Sequence, residues 1–387
     1  MQRLGIVCRY DEYHNRLSLS GHSIEGLSGR VTDAVCSRLR QVIVDQFKFD
    51  PTKVHVHELI KTMCFENTFD PVADYLAGLK WDGHPRLDRW LTTYLSAADT
   101  ELNRAIGVVA LVGAVRRPRQ PGCKFDTILV LEGLQGSGKS TALSILAGPD
   151  NFSDQDLLSL DAKSQIENLE GIWIYEISEL QGLNKGEISK VKAFASRQTD
   201  RARPAYGRFR EDRPRRGIFI GTTNESEYLR DPTGNRRFLP VLTGKIDLEA
   251  LQQDRDQLWA EAAHREATGV SITLPKELWK LAAAEQDARS ETDPWELILK
   301  NLCEPSQLWD GEGAQKVGAC TVLSEYFKIP GPEQNNSHYK RLAACMRRLG
   351  WDGPKNMRIG DSVTKGYERA RRGLLGQKAP DPAGEFT

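Results

Sequence analysis

Residues 127–147, TILVLEGLQGSGKSTALSILA, decide the fold of this chain. An apolar run leads into a loop, residues 133–140, that fits the phosphate-loop pattern of a glycine, four free residues and Gly-Lys-Ser. Glycines let the backbone turn tightly and point successive N–H groups at phosphate oxygens. The apolar run predicts a strand, and the residues after the loop predict a helix whose positive end faces the same anion. The stretch therefore predicts a site for a nucleoside triphosphate.

Two side chains of the loop have the chemistry that this ligand needs. We expect Lys139 to reach the β- and γ-phosphates and the Ser140 hydroxyl to hold Mg²⁺. The expected cofactors are therefore ATP and Mg²⁺. The residues predicted to bind the nucleotide are Gly133, Leu134, Gln135, Gly136, Ser137, Gly138, Lys139, Ser140 and Thr141.

Two further apolar runs end in polar residues that suit the same site. Residues 172–175 lead to Glu176, with Glu179 three residues further on. A phosphate-loop enzyme needs a carboxylate at a strand end to hold the water shell of the metal, and often another to polarise the attacking water. Glu176 fits the first role or both, and Glu179 is a candidate for the second. The run at 217–223 ends at Asn224, whose amide can hydrogen-bond the γ-phosphate or the attacking water as a sensor.

Two arginine-containing segments accompany these runs. Arg236 and Arg237 stand on a Gly-Asn turn, and either suits a finger, commonly supplied by a neighbouring subunit, that stabilises charge on the transferring phosphoryl group. Residues 196–216 contain eight arginines with two interleaved aromatic residues, which is typical of phosphate contacts and base stacking on a single nucleic-acid strand. A solvated loop is the alternative. The arginines predicted to bind nucleic acid are Arg201, Arg203, Arg208 and Arg210.

Length and composition limit the class of protein that this chain can be. The length of 387 residues predicts two or three domains. The chain has 53 Lys and Arg against 53 Asp and Glu, so no global field draws it to nucleic acid or to a membrane. The seven cysteines include no Cys-x-x-Cys pair, which argues against a zinc site and against a disulfide framework. No apolar run approaches the length of a membrane span and no signal-peptide pattern is present, so we expect a soluble cytoplasmic protein.

The flanking regions carry weaker patterns. Helical spacing predominates before the core, and short strands near residues 4–8 and 16–19 are only weakly indicated. The predicted divisions are a helical N-terminal accessory region (1–67), a helical region leading into the core (68–122), the core with its C-terminal helices (123–303), a linker (304–318), a small α+β domain (319–372) and a disordered tail (373–387).

The small C-terminal domain has an order typical of a winged helix. Two predicted helices are followed by a basic hairpin, with a plain interaction domain as the alternative. The basic side chains offered to phosphates are Arg347, Arg348, Lys355, Arg358 and Lys365.

Taken together, these blocks resemble the virulence-associated protein E family. The blocks that carry the resemblance are GLQGSGKS (133–140), WIYEISE (173–179), GTTN (221–224), DPTGNRRF (231–238), PVADYL (71–76), WDG (81–83) and RLD (86–88). The resemblance covers residues 4–240 and, more thinly, the C-terminal part. It implies an α/β P-loop NTPase core of the AAA+ or superfamily 3 helicase type.

The same resemblance implies roles for individual residues. Lys139 and Ser140 would bind nucleotide and metal, and Glu176 would be the second acidic motif. Asn224 would be the sensor, and Arg236 or Arg237 the finger. Glu176 stands where such motors usually have Asp, which leaves its division of labour with Glu179 open.

The resemblance also implies a cellular role. It indicates a ring-forming, ATP-driven motor, a hexamer among the options, that acts on single-stranded or forked DNA during phage or genomic-island replication. The setting would be a bacterial or phage-infected cytoplasm, and a primase is an expected partner because related chains often carry a primase module upstream. The leading hypothesis is thus a DNA-dependent ATPase of the replicative helicase kind. An ATP-gated DNA-binding or origin switch without unwinding is the alternative, and a small-molecule kinase is the third.

Overall fold

A computed structural model of the chain describes residues 2–157, 159–202, 211–229, 234–290, 293–301, 314–359 and 362–370. It consists of two compact units, Met1–Glu291 and Thr292–Thr387. Within the described ranges, every helix is too short or too polar to span a lipid bilayer.

The first unit begins with a small sheet rather than with helices alone. Its elements are β1 (Val7–Asp11), β2 (Arg16–Ser20), β3 (Gly29–Arg30), α1 (Asp33–Phe47), α2 (Lys53–Phe65) and β4 (Thr68–Phe69). The strands form a four-stranded sheet in the order β3-β2-β1-β4, and both helices share its apolar core through Leu39 and Ile60. The prediction of a helical N-terminal region is therefore wrong in part. These strands are two to five residues long, and β3 and β4, with two residues each, are too short to show the alternation that reveals a strand.

Three helices lead from this sheet to the core: α3 (Pro71–Gly78), α4 (Trp90–Leu95) and α5 (Glu101–Arg119). Helix α5 is buried along most of its length. The later helix Leu248–Ala267, α9, packs on one side of it and the central sheet on another. Trp173 of the core donates a hydrogen bond to the Ala114 carbonyl of α5 and stacks on Trp259 of α9.

A five-stranded parallel sheet forms the centre of the first unit. Its strands are β5 (Ile128–Glu132), β6 (Phe152–Ser153), β7 (Ile174–Ile177), β10 (Ile218–Thr223) and β11 (Phe238–Leu242), in the order β11-β5-β10-β7-β6. The helices around it are α6 (Lys139–Ala147), α7 (Ala162–Leu169), α8 (Lys185–Ala195), α9 (Leu248–Ala267) and α10 (Trp279–Ala288). A two-stranded antiparallel hairpin, β8 (Thr199–Ala202) and β9 (Glu211–Pro214), stands between α8 and β10. The prediction of an α/β fold is confirmed.

Burial on both faces explains the continuous apolar runs of the sequence. All residues of β5, β7 and β10 are buried, because helices cover both sides of a parallel sheet. Since the carboxyl ends of parallel strands meet at one edge, the residues that follow these three strands come together there. The sheet order places β10 directly beside both β5 and β7.

The second unit contains α11 (Pro294–Asn301), β12 (Ala314–Gly318), α12 (Ala319–Thr321), a π-helical turn (Val322–Tyr326), α13 (Asn336–Arg348), β13 (Asp352–Ile359) and β14 (Ser362–Ala370). The strands form an antiparallel sheet in the order β12-β14-β13. Strand β12 occupies the last five residues of the predicted linker, so that prediction is wrong there. The strand is short and polar, and its partner β14 lies about fifty residues later in the chain. The rest of the linker and the predicted tail lie outside the described residues.

Candidate nucleotide site

The loop after β5 depends on glycine at two kinds of position. Gly136 and Gly138 have φ angles of +75° and +93°, in the left-handed region that residues with a Cβ rarely adopt. At Gly133 the backbone passes so close to Thr243 that an added Cβ would lie 2.7 Å from the threonine Oγ1. These constraints hold the loop in a tight turn directly before α6.

The loop leaves most of its tip open to solvent. Leu134, Gln135 and Gly136 are exposed, and the exposed fraction of Leu134 is 82%. Thr141, in the first turn of α6, is also exposed, whereas Ser137 is half-buried. An anion can therefore approach the loop from outside without displacing packed side chains.

Lys139 is the first residue of α6, and its side chain turns back over the loop. Its Nζ donates hydrogen bonds to the carbonyls of Gly133 and Leu134 at 2.8 and 2.9 Å and to Oδ1 of Asn224 at 3.0 Å. Burial lowers the pKa of Lys139, and the charge of Glu176 acts in the opposite direction. The structure thus joins the predicted lysine and the predicted sensor asparagine, which are 85 residues apart in the sequence.

Ser140 and Glu176 also meet at this edge of the sheet. The Ser140 hydroxyl donates to Oε1 of Glu176 at 2.9 Å, and the Thr222 hydroxyl donates to the same oxygen at 2.5 Å. Glu176 is 2% exposed, and its Oε2 has no hydrogen-bond partner among the described residues. A buried carboxylate oxygen without a partner is costly. Hydroxyl and carboxylate oxygens are ligands that Mg²⁺ prefers, so the residues present fit that ion.

Glu179 lies in a different environment from Glu176. It is exposed, has a φ angle of +52°, and precedes a short 3₁₀ turn at Leu180–Gly182. Both glutamates line a cavity of about 330 Å³ between β7 and α8. Glu179 can therefore act on a group in that cavity, whereas Glu176 alone contacts the loop helix.

The two adjacent arginines have different surroundings. Both lie on a 3₁₀ turn, Asn235–Arg237, immediately before β11. Arg237 donates from Nε to the Ser196 hydroxyl at 3.0 Å and forms an ion pair with Asp126 at 3.2 Å. Arg236 is exposed and has no hydrogen-bond or ion-pair partner among the described residues. Neither arginine contacts the phosphate loop within this chain.

Sequence reasoning missed a buried cluster directly before the loop. The Glu132 carboxylate accepts hydrogen bonds from the Tyr228 hydroxyl at 2.7 Å and from Nε and Nη2 of Arg289 at 2.5 and 2.8 Å. Burial, and then the adjacent Glu132 charge, raise the pKa of Tyr228. The one sign of this cluster in the sequence is Glu132, an acidic residue at the end of an otherwise apolar run. Its partners could not be found, since Arg289 is 157 residues away.

The arginine-rich segment forms the base of the β8–β9 hairpin. Arg201 forms an ion pair with Asp212 across the hairpin at 3.0 Å, yet its side chain remains 74% exposed. Arg203, Arg208 and Arg210, the other predicted nucleic-acid contacts, lie outside the described residues.

Three later arginines of this segment are fixed by carboxylates. Buried Arg215 donates two hydrogen bonds to Asp200, while Arg213 pairs with Glu170 and Arg216 with Asp70. The Arg215–Asp200 pair closes the base of the hairpin itself, while Arg213 and Arg216 connect it to Glu170 and Asp70 elsewhere in the first unit.

Comparison with known proteins gave a family and a fold. A family model described as the virulence-associated protein E-like domain matches residues 76–291, which is more than half of the chain. An apo structure of the C-terminal region of NrS-1 is similar with a TM-score of 0.54 and 12% identity, over 95% of this chain and 96% of that one. A second apo structure of that region, the A form, has a TM-score of 0.51 and 11% identity, over 96% and 98%. The search of curated proteins gave no match.

Proposed function

The chain belongs to the virulence-associated protein E-like family, and from that premise we propose that it is an ATP-hydrolysing, DNA-dependent motor of phage or genomic-island replication, with a P-loop NTPase core. One observation carries the proposal. Lys139, Ser140, Glu176 and Asn224 come from three separate segments and meet at the carboxyl edge of one parallel sheet. That is where a ligand binds in an open α/β sheet.

ATP binding would be an exchange of partners at Lys139. Its ammonium group now contacts two loop carbonyls and an amide oxygen, and the phosphate oxygens of ATP would replace these neutral acceptors. Mg²⁺ would be held by Ser140 and Glu176 and would neutralise charge on the phosphates. Asn224, released from Lys139, would be free to hydrogen-bond the terminal phosphate or the attacking water.

The two glutamates would divide the remaining work. Glu176 is assigned to the metal side because it already accepts a hydrogen bond from Ser140 and keeps an unpartnered oxygen. Glu179 is assigned to orienting or deprotonating the attacking water because it lines the same cavity without contacting the loop.

Arg236 is the better candidate for the finger. Arg237 is already bound to Asp126 and Ser196, whereas Arg236 points into solvent, where a neighbouring subunit can meet it. A finger supplied in this way requires a homo-oligomeric ring, in which the nucleotide site of one copy is completed by the next.

DNA would contact the β8–β9 hairpin. Arg201 is exposed at its described end, and the arginines at 203, 208 and 210 belong to the segment that joins the two strands. We also propose that the second unit is a winged helix, because its helices precede a β13–β14 hairpin that pairs with β12.

The test is ATP hydrolysis with and without single-stranded DNA. It compares the wild type, an Arg201→Ala/Arg203→Ala/Arg208→Ala variant, and a control with the same loss of charge from three exposed lysines, Lys53→Ala/Lys276→Ala/Lys280→Ala. We expect DNA to stimulate the wild type and the control several-fold and the arginine variant not at all. Hydrolysis indifferent to DNA in all three proteins would contradict the motor and favour the nucleotide-gated switch or the kinase.

A further inference from the structure

The second unit carries a small excess of positive charge, while the complete sequence is balanced. Thr292–Thr387 contains fourteen lysines and arginines against twelve aspartates and glutamates, and the described residues among them contain eleven against six. A local excess of this kind attracts a polyanion even when the net charge of the protein is zero.

Helix α13 presents part of this charge on one side. Leu342, Ala343, Cys345 and Met346 are buried in the core of the unit, so the opposite face of the helix meets solvent. That face carries four exposed cations: Lys340, Arg341, Arg347 and Arg348.

Two of these four cations already have carboxylate partners. Arg341 forms an ion pair with Asp293, directly before α11, at 2.7 Å, and Arg348 with Glu296 of α11 at 3.0 Å. Lys340 and Arg347 are exposed and form no ion pair with the described residues, and Arg347 makes only a long contact of 3.4 Å to the Gly353 carbonyl. Lys340 and Arg347 are therefore available to an anion.

The β13–β14 hairpin adds a second group of exposed basic side chains. Asn356 pairs with Lys365 and Arg358 with Val363, and the alternation of a strand places all four on the face opposite buried Met357. All four are exposed, Val363 to 75%. Two of its basic residues, Arg358 and Lys365, thus lie on one face as diagonal neighbours across the strands near the tip of the hairpin.

Lys355 and Arg348 are not counted among the available cations of this surface. Lys355 is paired with Asp352 and Glu368, and Arg348 with Glu296, so these carboxylates compete with the phosphate contacts predicted for both side chains. Glu368 and Glu296 come from other elements and are invisible in a local pattern, whereas Asp352 lies three residues before Lys355 in β13.

The geometry favours a duplex over a single strand. A helix about 10–12 Å wide fits the major groove of B-form DNA, which is about 12 Å wide. Single strands are usually held by stacking bases on exposed aromatic rings. None of the Trp, Tyr or Phe side chains in the described part of this unit is exposed.

We propose that the second unit is a docking module for double-stranded DNA that works without nucleotide. Helix α13 lies in the major groove with Lys340 and Arg347 on the phosphates, and Arg358 and Lys365 of the hairpin contact the adjacent backbone. The module holds the duplex while the first unit acts on DNA independently, so it does not depend on the ATPase proposal being correct.

The test measures binding of the full chain to a fluorescent duplex by anisotropy, without nucleotide and over a series of salt concentrations. The variants are Lys340→Ala/Arg347→Ala and Arg358→Ala/Lys365→Ala, and the charge-matched control is Lys276→Ala/Lys280→Ala, at the start of α10 and in the 3₁₀ turn before it. Each variant is expected to bind the duplex more weakly and to reduce the slope of log K against log salt by about 2, one for each lost phosphate contact. The control should match the wild type.

Two further measurements make the outcome specific. Single-stranded DNA binding and DNA-stimulated ATP hydrolysis are expected to be unchanged in both variants, and thermal unfolding should show that both remain folded. Duplex affinity and salt slope equal to those of the wild type would overturn the proposal. So would an equal loss of single-strand binding, since that would place one common DNA surface on both units. Failure of ATP hydrolysis in the wild type would contradict the motor but not this surface.

Discussion

The phosphate loop and the base of the β8–β9 hairpin both hold basic side chains, but they hold them with different partners. Lys139 is bound by two carbonyls and an amide oxygen, which are neutral. At the hairpin base, Arg215 and Arg213 are bound by the charged carboxylates of Asp200 and Glu170. A phosphate can replace neutral acceptors without leaving a charge behind, whereas removing an arginine from a buried pair strands a carboxylate. The partner of a cation, and not the number of cations, decides whether it is available to a ligand.

The largest effect is expected at Lys139. Lys139→Ala removes the one buried cation of the loop, and we expect ATP hydrolysis to fall by more than about 10³-fold. Steady-state phosphate release measures this, with Lys280→Ala as the control for an exposed lysine. Normal turnover in a correctly folded variant would remove the distinction between a ligand-binding cation and a structural one.

Arg236 and Arg237 offer the same comparison between neighbours in the sequence. Arg236 has no described partner, so we expect Arg236→Ala to keep nucleotide binding and to lose about 10³-fold in turnover. Arg237 is bound to Asp126 and Ser196, so Arg237→Ala should mainly lower the free energy of unfolding, by about 1 kcal/mol. Nucleotide binding, turnover and urea unfolding are measured for both. Full turnover in both single variants would exclude a finger at this turn.

Arg215 tests the structural side of the comparison. Its side chain and that of Asp200 are 5% and 6% exposed, so Arg215→Ala leaves a buried carboxylate whose remaining described ion-pair partner is the half-exposed Arg197 at 3.8 Å. We expect a loss of about 3–5 kcal/mol in the free energy of unfolding. Urea denaturation followed by circular dichroism gives the value. A loss below about 1 kcal/mol would mean that this arginine is as available as a solvated one.

The smallest effect on stability is expected at Arg201. Its pair with Asp212 is exposed, so Arg201→Ala should change the free energy of unfolding by less than about 1 kcal/mol. The same variant should weaken single-stranded DNA binding at low salt, because the lost charge faces solvent. Unfolding and DNA titration are compared with Arg215→Ala. A large destabilisation at Arg201 would erase the contrast between the two positions.

The sequence was sufficient to predict which side chains lie together where those side chains follow the ends of parallel strands. The spacing of the loop, and the polar residues after the next apolar runs, follow from the geometry of one parallel sheet. That is why Lys139, Ser140, Glu176 and Asn224 could be assigned to one site before their contacts were known.

The sequence was insufficient where a pairing joins distant segments. In the N-terminal sheet, β1 and β2 were weakly indicated, but β4 was not, because this two-residue strand pairs with β1 from nearly sixty residues later. The partners of Glu132, Arg213 and Arg216 lie even further along the chain or on other elements, and no local pattern reveals them. A distant partner also distinguishes Arg236 from Arg237, because Asp126 binds Arg237 and is more than a hundred residues earlier in the chain.

The position of Lys139 has a consequence for the entropy of binding. A lysine loses about 1.5–2 kcal/mol of rotamer freedom when its side chain is fixed in one conformation. Here the loop carbonyls and Asn224 fix it as the protein folds, before any phosphate arrives. The ordering of this side chain therefore opposes folding and not ligand binding, so under the proposed function the loop would act as a preorganised receptor for its anion.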